Sequence, residues 1–131
     1  MVRRWKFFLL LAVVVVYVNA GAQNLPESPS HNFWDASNKA LLAMHAGLEA
    51  VDFGITHYNL SRGGVEKNPM GKRLCESGTA GQLVFFGGRM AAVAGASYLF
   101  HKTGHHRMER AFIMLASADS AYGVTYSFAH R

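Results

Sequence analysis

The stretch "HAGLEAVDFGITH", residues His45–His57, decides how the chain is read. It lies in a run apolar enough to suggest a membrane, yet it carries two carboxylates and a histidine at helical spacing. At about 100° per residue, with His45 at zero, Glu49 falls near 40°, Asp52 near 340° and Thr56 near 20°. Asn38 and Asn59 share that arc, while Met44, Leu48, Val51, Ile55 and Tyr58 point elsewhere. A stripe this narrow belongs against a protein interior or a water-filled cleft, because charge facing lipid is costly.

Working outward, 131 residues, half of them apolar and only 16% charged, suit one unit and fit a small membrane bundle better than a soluble domain. The formal charge of +5 is mostly a topology signal: without Arg3, Arg4 and Lys6, ten basic residues face eight acidic ones. With no basic patch interleaved with aromatics and no nucleic-acid motif, nucleic acid is not an expected partner. The lone Cys75 has no second thiol for a disulfide or a thiolate metal site.

Residues 1–22 read as a signal peptide. "MVRRWK" is a positive n-region, "FFLLLAVVVVYV" a short apolar core, and "AGA" before Gln23 a cleavage site. Cleavage is expected after Ala22, with Ala20 as the other site, and an uncleaved anchor is the alternative. The polar "QNLPESPSHNF" makes residues 23–34 an exposed linker. Residues 35–131 then form the expected all-α domain, a three-helix transmembrane bundle with helices at about 37–59, 79–100 and 106–128. Asp35 or Ser37 caps the first helix, "SRGG" stops it, and Thr79 is the expected cap of the second. None of the three is purely apolar, which keeps a partly soluble helical bundle as the rival. Between the first two, Asn68 and Pro69 start a short interfacial helix that Gly78 ends, with Met70 and Leu74 on one face.

The leader places residue 23 outside a bacterial inner (cytoplasmic) membrane. The loop bearing Arg62, Lys67, Lys72 and Arg73 then faces the cytoplasm, as the positive-inside bias prefers. Lys102, Arg107 and Arg110 on the outer turn vote weakly the other way.

Arg89 is the only formal charge within the second helix, and a buried guanidinium can fork across carboxylate oxygens. Small residues Gly87, Ala91 and Gly95, and Gly88, Ala92 and Ala96, allow close backbone approach. The expected polar network therefore joins His45, Glu49, Asp52, Thr56, Arg89 and Asp119, with Arg89 near Asp52 and Asp119. Read structurally, it fixes helix order and rotation. Read functionally, clustered carboxylates beside a titratable histidine handle a proton, a metal ion or a polar substrate.

His45, Glu49 and Asp52 form a candidate divalent-metal set, since donors at i, i+4 and i+7 can converge as they do in helical bundles. No other cofactor is expected. A second histidine group, His101, His105 and His106 with Glu109, opens the turn between the second and third helices and is expected to be outside and exposed. No nucleophile elbow, P-loop, dinucleotide fingerprint or H-E-x-x-H is present, so hydrolase chemistry has no support.

Asp52-x-x-x-Thr56 followed by Gly63-Gly64-x-Glu66-x-Asn68-Pro69 resembles a family of small bacterial multi-helix membrane proteins with a D-x-x-T-T-like segment and then G-x-x-E-x-N-P. The likeness covers about residues 40–128, and this chain has Ile55 before Thr56 where the motif has a pair of Thr residues. It implies a few transmembrane helices and no established activity, and it adds Glu66, Asn68 and Pro69 to the candidate positions. Glu66 either pairs within its loop or folds under the bundle to join Asp52 and Thr56. Three helices enclose little space, so the expected partners are the lipid bilayer and a second copy or another membrane protein. An interaction or assembly role leads; an ion- or proton-handling carrier and a small intramembrane metal enzyme are the alternatives.

Overall fold

Asp35 starts the first helix. In the computed structural model, which describes residues 31–129, its extended backbone lets the side chain accept the Asn38 N–H at 2.8 Å, the N-cap bond that satisfies an orphan donor. That N–H, with Arg110 and His31 close by, holds the Asp35 carboxyl below the usual carboxylate range. The leader and most of the polar linker lie outside the described residues, as do residues 130 and 131.

Helix α1, Ala36–Ser61, ends where Gly63 takes a φ of +82°. Gly64 then folds so tightly over Asn59 that a Cβ there would sit 2.7 Å from the Asn59 carbonyl oxygen. The short α2, Lys72–Cys75, follows an Asn68-Pro69 turn in which the Asn68 side chain accepts the Met70 N–H at 3.0 Å. Helix α3, Thr79–Lys102, is capped by Gly78 at φ +106° rather than by Thr79, which becomes the first helical residue. Gly81 lets α2 sit against α3: a Cβ there would collide with the Leu74 carbonyl. Gln82 clamps the corner, donating to the Cys75 carbonyl at 3.1 Å while its oxygen meets His57 Nδ1 at 3.0 Å. Helix α4, His106–Ala129, returns along both long helices and packs most extensively on α1.

The described residues are thus all-helical, three long helices and one short. Their polarity is inverted. Phe33, Leu42, Val93 and Ile113 make a small apolar core, yet ten of the buried residues are polar, among them Asn38, His45, Glu49, Asp52, Gln82, Glu109 and Ser120. Leu83, Val84, Leu99, Met114, Leu115, Tyr122 and Phe128 face outward. Helix α3 is the one described helix long and apolar enough to cross a membrane.

Candidate functional site: two buried glutamates

Two polar centres lie along the bundle, each built on a buried glutamate. In the middle, Glu49 Oε1 accepts the Ser120 hydroxyl at 2.5 Å and lies 3.2 Å from Arg89 Nη2. The same guanidinium nitrogen donates to Asp119 at 2.8 Å and lies 3.2 Å from Ser120 Oγ. Arg89 thereby bridges α1 and α4 from α3. Its carboxylate on α1 is Glu49 and not the expected Asp52, which lies three residues on and shares a cleft with Arg89 without a salt bridge to it among the described residues. Asp119 joins as expected, although its side chain is largely exposed.

His45 is fully buried, with Nε2 3.9 Å from Glu49 Oε1 and no hydrogen-bond partner for either ring nitrogen; Glu49 Oε2 is likewise without one. Asp52 lies one turn further along. It is 7% exposed, accepts no hydrogen bond among the described residues, and abuts Gly123, where a Cβ would come within 3.1 Å of its Oδ2. Asp52 opens with Thr56, Glu66, Arg89 and Asp119 onto a cleft of about 880 Å³ whose walls include Tyr58, Phe85, Tyr122 and Tyr126. Glu66 also lines this cleft, and its Oε1 accepts the Asn68 N–H at 2.7 Å, a pairing within its own loop. Asn68 and Pro69 shape the rim.

The second centre is at the opposite end, where α3 turns into α4. His31, His101, His106 and Glu109 place one potential ligand atom each within 4.8 Å of all the others, the one group of three or more such side chains that converges in this way among the described residues. His45, Glu49 and Asp52 therefore do not form the convergent set expected of them. Two turns separate His45 from Asp52, and Glu49 is already held by Arg89 and Ser120.

Glu109 is fully buried, which corrects the expectation of an exposed histidine group. Its Oε2 lies 3.0 Å from His101 Nδ1, 3.1 Å from His106 Nδ1 and 3.5 Å from His31 Nε2. Its Oε1 accepts the side-chain N–H of Asn38, which is itself buried and also donates to the Phe33 carbonyl at 2.9 Å. Arg110 closes the surround, donating to Asp35 at 2.7 Å and to Asn38 Oδ1 at 3.3 Å. His105 stays outside, its Nδ1 on the Thr103 hydroxyl at 2.9 Å. His31, read as part of an exposed linker, completes the group instead. The signal for it was slight: a histidine four residues ahead of a helix-capping aspartate.

No protein-family model, curated protein or solved structure matches the chain.

Proposed function

We propose that the protein is a small integral protein of a bacterial inner membrane, a three-helix bundle whose polar interior fixes the helices and whose outward face pairs with a second copy. The observation that carries this reading is the inverted polarity on and around α3. Only 17% of its apolar stretch is buried within the bundle, whereas the core helix of a soluble protein would be mostly buried. Gly87, Gly88, Ala91, Ala92 and Gly95 face outward, and nothing lies within 4 Å of where a Cβ of Gly87, Gly88 or Gly95 would be. In lipid, where apolar contact gives little net drive, rows of small residues at i, i+4 and i+8 are where helices associate. The exposed Met70 and Leu74 beside Lys72 and Arg73 suit a short helix lying on the inner leaflet.

The test uses carbonate-washed membranes carrying Ala91→Cys in a Cys75→Ser background. Mild oxidation should give disulfide-linked dimers, which Gly87→Leu should abolish and which the buried control Val93→Cys should not form. Release of the protein into the wash, or equal cross-linking at both positions, would reject the reading.

A second reading, a cation-handling carrier, is favoured by Asp52. A nine-tenths buried carboxylate that accepts no hydrogen bond among the described residues, opening on an 880 Å³ cleft beside Thr56 and Glu66, suits a cation better than a structural pair. Under it, Asp52→Asn leaves abundance intact and removes cation-dependent flux in vesicles.

A further inference from the structure

We propose that His31, His101, His106 and Glu109 form a binding site for a divalent transition metal of the zinc type, which fastens the segment ahead of α1 to the α3–α4 turn. Four observations carry the assignment. First, the donors come from three separate stretches of chain and lie within 4.8 Å of one another, so helical periodicity alone does not explain their meeting. Second, the separations from Glu109 Oε2 to the three imidazole nitrogens, 3.0, 3.1 and 3.5 Å, bracket the edge of about 3.3 Å that follows from zinc–nitrogen and zinc–oxygen bonds of roughly 2.0–2.1 Å in a tetrahedron.

Third, His31 is arranged as a ligand. Its Nδ1 lies 3.0 Å from an Asp35 carboxylate oxygen and 3.0 Å from the Asn32 carbonyl, both acceptors, which places the ring proton on Nδ1. Nε2 is left as a buried lone pair with no hydrogen-bond partner, directed at Glu109. A carboxylate behind a histidine, fixing its tautomer and rotation, is the usual outer support of a metal-bound imidazole. Fourth, Glu109 has its other oxygen tied to Asn38, so one carboxylate oxygen remains directed at the histidines. The side chains are close to dry, 21% exposed at His31, 17% at His101, 11% at His106 and 0% at Glu109. Three imidazoles and one carboxylate favour borderline ions over calcium or magnesium, which take oxygen donors.

The metal-free alternative is a buried glutamate whose Oε2 is hydrogen-bonded to His101 Nδ1 and His106 Nδ1 at 3.0 and 3.1 Å. It accounts for two of the three imidazoles and leaves His31 Nε2 buried without a partner, in a group whose ring centroids lie 4.7–5.2 Å apart.

The full chain, purified in detergent through a histidine-free tag, is titrated with Co²⁺ alone and then with Zn²⁺. The expected result is one Co²⁺ per chain with the strong visible absorption of four-coordinate cobalt, displaced by Zn²⁺ at equal concentration. His31→Ala and His106→Ala should each weaken binding by at least about 100-fold. Asp35→Asn, which keeps a good N-cap but weakens the support behind His31, should weaken it by about 10–100-fold. His105→Ala should leave it unchanged. Circular dichroism checks that each variant stays helical. Wild-type protein that is helical yet binds no equimolar Co²⁺ overturns the proposal. So does binding that His105→Ala lowers as much as His106→Ala, which would mark loose capture by surface histidines.

Discussion

Glu49 and Glu109 are both buried, both on long helices and both hydrogen-bonded to a neighbouring helix, yet their counter-groups differ in kind. Glu49 faces Arg89, a cation that never gives up its charge and offers only donors. Glu109 faces three imidazoles, each able to turn a lone pair inward. The first arrangement holds Glu49 Oε1 with a fixed cation and a hydroxyl, and ties α1, α3 and α4 at mid-bundle, while Glu49 Oε2 keeps no partner. The second can exchange protons for a metal ion, and it lies at an end of the bundle where an ion can arrive. Burial of an acid thus says little by itself about function; the chemistry of the group that neutralises it says more.

The largest expected effect breaks the permanent pair. Arg89→Met leaves Glu49 buried without its cation and should cost about 3–5 kcal/mol, read as lost protein in the membrane or a lower unfolding midpoint in detergent. Glu49→Gln in the same chain should restore most of that loss. If Arg89→Met alone is harmless, the two glutamates are not different in kind. At the other centre, chelation should lower stability by about 2.7 kcal/mol when free Zn²⁺ had stood 100-fold above its Kd, and should do nothing to His106→Ala. Thermal unfolding with and without chelator measures this.

Smaller effects sharpen the contrast between the tight centres and the open cleft. Gly123→Ala presses a methyl to about 3.1 Å from Asp52 Oδ2 and should cost about 1 kcal/mol, since that side chain can shift into the cleft. Metal binding should be untouched. Smallest is the effect at Cys75, whose thiol burial pushes up to about 11. Alkylation near neutral pH should be slow in the folded protein and fast in the unfolded chain. Because the folded form holds the proton more tightly, stability from this group is complete below about pH 9 and declines as pH rises toward 11, which unfolding across that range in wild type and Cys75→Ser checks.

Much of this was legible in the residues. Asp35, Gly63 and Gly78 mark helix ends by ordinary capping and turn chemistry, and the 100° arc through His45, Glu49, Asp52 and Thr56 foretold a polar interior that the structure contains. Which acid meets Arg89 was not legible, because periodicity gives a side chain's direction and leaves the sliding of one helix past another open. The small residues of α3, read as close packing, face away from the bundle for the related reason that rotation is set by partners on other helices. His31 escaped because irregular chain carries no period, and His105 misled because Gly104, at φ +78°, swings the turn between His101 and His106. Pairings that cross the fold depend on tertiary contacts that spacing along the chain does not encode.

The most direct test of the central contrast is the metal content of His45→Ala beside that of His106→Ala, both purified from the same zinc-supplemented cells. One metal per chain in His45→Ala and none in His106→Ala is the expected result. Loss of metal in His45→Ala with retention in His106→Ala would contradict the account and move the metal site to mid-bundle.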